Sequence, residues 1–150
     1  MKKSLLDRRS ANEIVTRVSL LTPDNTHQWG TMNVNEMLLH CNLCNRQIME
    51  EKRGNNKTTA GQFLLRILAL YIAPHFKKNI QSEQRHITQG KTGHLHFEQL
   101  RKDFITIIQQ FPVNNKSLTL THPAFGNIST REWGIAAYKH MDHHLRQFNV

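Results

Sequence analysis

The sequence predicts an all-α fold, a bundle of four amphipathic helices with one additional short helix. Apolar residues recur at helical spacing in separate segments, and three helix starts carry a capping residue followed three positions later by glutamate. Runs of alternating apolar and polar residues are too short to indicate a sheet. The 150 residues hold no internal repeat and no dividing linker, so we expect a single domain over residues 1–150.

The first helix is predicted from Ser10 and Glu13, which form a capping-box pair. Apolar residues then recur at helical spacing, and the helix is expected to stop before Pro23. Residues 22–32 are expected to form a loop.

The second helix is predicted to begin after Asn33, a good N-terminal cap with Glu36 three residues later. It should run to about Glu50, and residues 53–57 break it. One stripe of this helix carries four side chains that we expect to be buried: Met37, Cys41, Cys44 and Ile48.

A short apolar segment, Phe63–Ala73, is predicted to form the additional helix and to stop at Pro74. It contains Arg66 and falls well short of the roughly 20 residues that span a bilayer. We therefore expect a buried or interfacial helix and no membrane span. Residues 77–93 are polar and aperiodic, which favours a long surface loop.

The last third of the chain is predicted to hold two more helices. Residues 97–111 carry apolar side chains at helical spacing before Pro112, and residues 113–126 are expected to be a loop. The final helix, Ser129–Phe148, opens with a capping-box pair formed by Ser129 and Glu132.

Two histidines interrupt the apolar stripe of the final helix. His140 and His144 are one helical turn apart, so their Cβ atoms lie about 5–6 Å from each other and both imidazoles can bind one metal ion. His40, which flanks the buried stripe of the second helix, is the best candidate for a third ligand. His143 lies about 100° from the stripe and is a poorer candidate. The spacing alone leaves two structural alternatives, a hydrogen-bonded pair in the core and a pair on the surface.

Cys41 and Cys44 form a C-x-x-C pair in the middle of the second helix. A zinc finger needs histidines at short range, and a thioredoxin-type pair needs a helix start in a βαβ unit, so neither is favoured. We expect two small apolar core residues, either of which could lie near a metal bound at His40. Two cysteines are too few for a disulfide scaffold, which favours a reducing, cytoplasmic location.

The formal net charge of +9 is a feature of many nucleic-acid-binding proteins. Here the basic residues are scattered and do not alternate with aromatic residues, and no helix-turn-helix, zinc-finger or RNA-binding signature is present. We therefore expect solvated surface charge that attracts an anionic small-molecule substrate, rather than a nucleic-acid partner.

Several motifs resemble those of DinB/YfiT-like proteins, and most closely a branch known only as a domain of unknown function. The C-terminal motifs include His-Pro-Ala-Phe-Gly and the histidine-rich end of the final helix. The matching segments lie at both ends of the chain: residues 21–23, 29–33, 37–41, 122–126, 129–133 and 138–148. The resemblance implies a DinB-like four-helix bundle with one long crossover connection, and it also implies a homodimer.

The resemblance further implies a three-histidine metal site, whose ligands correspond to His40, His140 and His144, with His143 competing for one role. Three neutral imidazoles leave open positions on Zn²⁺, Ni²⁺ or Fe²⁺, where a water or a low-molecular-weight thiol would ionise near neutral pH. We therefore expect a metal-dependent enzyme of thiol S-transferase or hydrolase type. The alternatives, in order, are a non-catalytic dimeric scaffold or binding module with structural histidines, and a nucleic-acid binder.

Overall fold

The computed structural model describes residues 2–50, 54, 57–79, 86–92 and 96–150. Within these residues the chain forms five α-helices: α1 (Arg8–Val18), α2 (Val34–Glu50), α3 (Ala60–Ile67), α4 (Phe97–Gln110) and α5 (Thr130–Gln147). A π-helical segment, Leu68–Ile72, continues α3, and a 3₁₀ turn, Phe111–Val113, follows α4. The described chain is therefore mostly helical, which confirms the all-α prediction.

The four longer helices pack around one apolar core. α2 lies against α4 and α5, and α1 also lies against α4 and α5. The largest fully buried side chains of this core include Phe104, Phe111 and Phe148, none of which is more than 1% exposed. Because burying one such side chain contributes about 1.5–3 kcal/mol, these apolar stripes are sufficient to hold the helices face to face.

The hydrogen bonds at the starts of α2 and α5 confirm the predicted caps. The Asn33 N–H donates to the Glu36 carboxylate (2.9 Å), and the Glu36 N–H donates to the Asn33 side chain (2.9 Å). Ser129 and Glu132 make the same reciprocal pair before α5. Each pair satisfies two backbone N–H groups that a helix start leaves without an intrahelical partner.

The first helix begins earlier than predicted. Its cap is Asp7, whose carboxylate accepts from the backbone N–H and the hydroxyl of Ser10, both at 2.8 Å. Glu13 bonds instead to Lys3 (2.7 Å) and to the Tyr138 hydroxyl (2.9 Å). The Ser10–Glu13 capping box is therefore wrong, because a stronger acceptor three residues upstream takes the Ser10 donors.

The apolar segment after α2 is less buried than predicted. Its helix begins at Ala60, and over α3 and the π-helical segment only Leu70 is buried. Leu64 and Ile72 are 60% and 65% exposed, so this helix presents an apolar face outward. No helix in the described ranges combines the length and the apolar character that a bilayer span requires.

Two of the predicted loops lie partly outside the described residues, and a third contains short strands. Of residues 53–57 the structure describes 54 and 57, and of residues 77–93 it describes 77–79 and 86–92. The predicted loop 113–126 ends in a small antiparallel hairpin, β1 (Thr121–His122) and β2 (Gly126–Asn127). Gly126 has a φ of 71°, which glycine adopts without strain and which closes this turn.

Gly134 in α5 lets the N-terminal segment pack directly on the helix. The Leu5 N–H donates to the Gly134 carbonyl (3.0 Å), and a Cβ atom at Gly134 would lie 2.8 Å from Leu6 Cγ.

We expect Gly134→Ala to lower the free energy of unfolding by about 1–3 kcal/mol, because the added methyl group collides with the N-terminal segment. This loss should exceed the gain from the better helix propensity of alanine, and urea unfolding measures the difference. Gly61→Ala in α3 is the matched control, because no atom lies within 4 Å of the added methyl group. A Gly134→Ala protein as stable as the Gly61→Ala protein would contradict the packing.

Candidate metal centre

Three imidazole rings meet where α2 faces α5. His40 Nε2 lies 3.1 Å from His140 Nε2, which lies 3.0 Å from His144 Nε2. The ring centroids of His40 and His144 are 4.8 Å apart, so each ring contacts the other two. His40 and His144 are buried, and His140 is partly exposed. The structure thus brings together the three histidines that the sequence selected, although His40 lies far from the other two along the chain.

Two of the rings are held by hydrogen bonds on their outer nitrogens. His40 Nδ1 lies 2.9 Å from the His86 carbonyl oxygen, which can only accept, so this nitrogen carries the proton. His144 Nδ1 lies 2.9 Å from Gln147 Oε1. The Gln147 NH₂ group donates to the Trp29 carbonyl (2.6 Å), which fixes the amide so that its oxygen accepts from His144. Both rings, when neutral, therefore turn an unprotonated Nε2 toward the centre.

The three neutral imidazoles alone have fewer protons on Nε2 than their mutual contacts need. In the neutral rings, Nε2 of His40 and Nε2 of His144 carry only a lone pair, and both face Nε2 of His140. His140 can place one proton on that atom and donate it to only one neighbour, and the other donor beside these rings is the weak S–H group of Cys44, whose sulfur lies 3.7 Å from His40 Nε2. A cation among the three nitrogens would accept all three lone pairs. The donor set therefore fits a divalent metal ion, for which neutral imidazole is a common ligand.

Burial opposes protonation of these rings. It lowers the pKa of His40, and it lowers the pKa of His144 to about 3. For His140, burial first and then the neighbouring rings of His144 and His40 hold the pKa well below its ordinary value of about 6.5. At neutral pH the site thus favours the uncharged forms, which are the forms that bind a metal.

Cys44 borders the imidazole cluster, whereas Cys41 does not contact it. Cys44 Sγ lies 3.7 Å from His40 Nε2, and the ligand atoms of His40, Cys44 and His140 all lie within 4.8 Å of one another. These three residues could hold a metal ion. The Cys41 thiol instead contacts the Met37 sulfur at 3.7 Å. Both cysteines are buried, as predicted, and Cys44 is the one that lies beside the site.

His143, the poorer candidate from the sequence, borders the cluster, with its ring centroid 5.2 Å from that of His144, and His96 lies away from it. The His143 ring stands 5.6 Å from the Trp29 ring and hydrogen-bonds to the backbone of Phe76. His96 is exposed at the start of α4. Neither is among the described residues whose ligand atoms converge with His40 and Cys44.

The outer partners of the cluster were missed by sequence reasoning. Gln147 stands three residues after His144 on the same helical face, so its spacing could have indicated the hydrogen bond. His86 and Trp29 contribute backbone carbonyl groups. Because every residue carries a carbonyl group, no side-chain pattern marks these two as acceptors.

A cleft of about 310 Å³ lies on another side of α5. Its lining includes Lys2, Lys3 and Lys139, which give it a basic character. None of the three clustered histidines lines it, so within the described residues this cleft is separate from the imidazole cluster.

The fold and the cluster together define a class, an all-α protein with a buried His-Cys-His group that could hold a metal ion. Within that class, the chain belongs to the family described as "Protein of unknown function (DUF1569)", whose family model matches residues 1–150. No curated protein and no solved structure matches the chain. The family match confirms that part of the sequence resemblance which indicated a domain of unknown function.

The burial of His122 makes the free energy of unfolding depend on pH, and this effect can be measured without changing any of the three clustered histidines. Its ring stacks on Phe125 with centroids 4.0 Å apart, and its Nδ1 accepts from the N–H groups of Ala124 (3.1 Å) and Phe125 (3.2 Å). Burial lowers the pKa of His122 to about 4. Since the folded pKa is below the unfolded value, the neutral ring stabilises the fold fully above about pH 6.5, and this stabilisation declines as the pH falls toward 4.

We expect the free energy of unfolding of the His122→Asn variant to depend less on pH below about pH 6.5 than that of the wild-type protein. Asparagine can accept the same backbone donors but does not titrate. Between pH 8 and pH 5 the wild-type protein should lose about 2 kcal/mol more unfolding free energy than the variant, as urea unfolding at the two values would measure. His96→Asn, at an exposed position, is the control. Parallel profiles for wild type and His122→Asn would contradict the lowered pKa.

Proposed function

We propose that the protein binds one divalent metal ion through His40, His140 and His144. The observation that carries this proposal is the convergence of three imidazole Nε2 atoms, with contacts of 3.1 Å from His40 to His140 and 3.0 Å from His140 to His144. The hydrogen bonds on the outer nitrogens of His40 and His144 support it, because metal-binding histidines almost always donate their other N–H group to an oxygen acceptor.

We also propose that this family is a branch of the DinB/YfiT-like superfamily and that the chain is a single four-helix-bundle domain of that type. The mutual packing of α1, α2, α4 and α5 supports this architecture. The connection from α2 to α4, which contains α3, would be the long crossover. One histidine on α2 and two on α5 is also the distribution of ligands that the resemblance implies.

The proposed activity is that of a thiol S-transferase or a hydrolase. A bound Zn²⁺, Ni²⁺ or Fe²⁺ ion would supply Lewis acidity and would lower the pKa of a coordinating water or low-molecular-weight thiol. The chain's own part would be to orient the rings through Gln147 and the His86 carbonyl, and to limit the access of bulk water. Lys78 and Arg146 act electrostatically on His143, whose ring lies 5.2 Å from that of His144, and although Asp142 acts in the opposite direction, the two positive charges favour an anionic substrate.

A second candidate function is a non-catalytic dimeric scaffold or binding module with structural histidines. The observation that favours it is the exposed apolar face of α3, where Leu64 and Leu65 are 60% and 46% exposed. A homodimer and a cytoplasmic location belong to both candidates as proposals, and neither candidate includes a nucleic-acid partner. If the protein is such a scaffold, removal of metal by a chelator would change neither its fold nor its binding to a partner.

Metal content tests the proposed centre. Protein purified without an affinity tag should carry one divalent ion per chain by elemental analysis, and His140→Ala should lose it because one lone pair is removed. His75→Ala is the control, since exposed His75 contacts Asp142 (3.3 Å) rather than the cluster. Wild-type protein that holds no stoichiometric divalent ion, even after loading, would refute the centre.

Activity separates the two candidate functions. In the enzyme, hydrolysis or thiol-transfer rates should rise in proportion to metal content and should disappear in His140→Ala. Metal-loaded protein that turns over neither class of substrate, while chelation leaves its fold and self-association unchanged, would instead support the scaffold.

Gln147→Leu tests the outer hydrogen bond. The substitution nearly preserves side-chain size but removes the acceptor for His144 Nδ1–H, so metal affinity should fall about 10–100-fold although all three histidines remain. Competition with a chelator of known affinity measures this change. Gln110→Leu at the exposed end of α4 is the matched control, and equal affinities for the two variants would show that the bond to His144 is not needed.

A further inference from the structure

Each of the two facing helices offers a pair of metal-ligating side chains one turn apart. On α5 the pair is His140 and His144, and on α2 it is His40 and Cys44. Side chains at this spacing lie on one face of a helix, so each pair can bind a single ion. The two pairs face the same point, because Cys44 Sγ lies 3.7 Å from His40 Nε2 and within 4.8 Å of a ring nitrogen of His140.

Three distances within this group are close to the edges of a tetrahedral centre with three nitrogens and one sulfur. Typical zinc–nitrogen and zinc–sulfur bonds of about 2.0–2.1 Å and 2.3 Å give tetrahedral edges of about 3.4 Å between nitrogens and 3.6 Å between nitrogen and sulfur. The sulfur–nitrogen distance to His40 is 3.7 Å. The nitrogen–nitrogen distances of 3.1 Å and 3.0 Å are slightly shorter than the ideal edge. Thus only small changes are needed along these three edges, whereas His144, which is not in the group whose ligand atoms lie within 4.8 Å of one another, must bring its Nε2 closer to the ligand atoms of His40 and Cys44.

Cys41, on the same helix, can be compared directly with Cys44. Cys41 has the same chemistry and lies on the same helix, but its thiol faces Met37, and burial raises its thiol pKa well above the ordinary value. Cys41 is 0% exposed, and Cys44 is 8% exposed beside the imidazoles. Position, and not residue type, therefore distinguishes the two cysteines.

We propose that Cys44 is the fourth ligand of the metal centre and closes it in the resting protein. This inference rests on the proposed three-histidine centre. On binding, the S–H bond of Cys44 breaks, the proton passes to solvent, and the sulfur forms a bond to the divalent ion. Closed four-ligand sites are typical of structural metals, whereas catalytic sites keep a position open. In the proposed enzyme, an external thiol or water would displace Cys44 and the released sulfur would take up the proton that the incoming ligand loses, so this residue would control access to the metal.

Cobalt(II) is the probe, because a thiolate bound to Co²⁺ gives a charge-transfer band in the near ultraviolet that imidazole ligands do not give. Metal-free full-length protein is titrated with Co²⁺, and wild type and Cys41→Ala should both show the band at one equivalent. Cys44→Ala and Cys44→Ser should bind Co²⁺ without the band. In weakly buffered solution, wild type should also release one more proton per ion than Cys44→Ala.

The possible outcomes separate the fourth ligand from the three-histidine centre. Cobalt binding by wild type without the band, or with a band that persists in Cys44→Ala, overturns the role of Cys44 but leaves the histidines in place. No cobalt binding at all overturns both proposals. Far-ultraviolet circular dichroism establishes that each variant is folded, and the serine variant, which preserves the size and polarity of the side chain, covers the case in which alanine destabilises α2.

Discussion

The convergence of imidazole lone pairs between α2 and α5 is the constraint on which this site depends. A buried ring nitrogen that has only the weak S–H group of Cys44 as a donor incurs part of the roughly 1–3 kcal/mol that an unsatisfied acceptor costs, and protonating the rings is opposed by their burial. The apolar core offsets such a cost, since a few fully buried side chains contribute more than this. A bound cation would make the contact between these nitrogens favourable, because it would accept their lone pairs. The packing of α2 on α5 therefore places the three rings where a metal ion would stabilise them.

Local interactions along α5 set the position of its two clustered histidines. The Ser129–Glu132 capping box fixes where the helix begins and therefore which face carries them. Near the other end, Arg17 on α1 pairs with Asp142 (2.7 Å) and donates to the Val150 carbonyl (2.9 Å). The contacts of Arg17 hold the C-terminal half of α5 against α1 at the level of the cluster. The position of His140 and His144 thus depends on the cap at the start of α5 and on the contacts with α1, whereas hydrogen bonds to Gln147 and the His86 carbonyl orient the rings of His144 and His40.

Much of this arrangement could be predicted from sequence, because it depends on local patterns. The caps of α2 and α5 are signalled within four residues, and the spacing of His140 and His144 indicates a shared face. The carbonyl that holds His40 has no such signal, since it comes from a backbone group brought near by the fold. The two cysteines show the same limit: they are equivalent in sequence, and only the packing of α2 on α5 places Cys44 beside the rings.

Anomalous X-ray diffraction from crystals of the metal-loaded protein would test the central claim most directly. Data collected on both sides of the absorption edge of the loaded metal locate the ion independently of any assumed site. The account predicts one strong peak per chain, within bonding distance of Nε2 of His40, His140 and His144. A peak bound by other residues, or three imidazoles that remain in mutual contact with no peak between them, would contradict it.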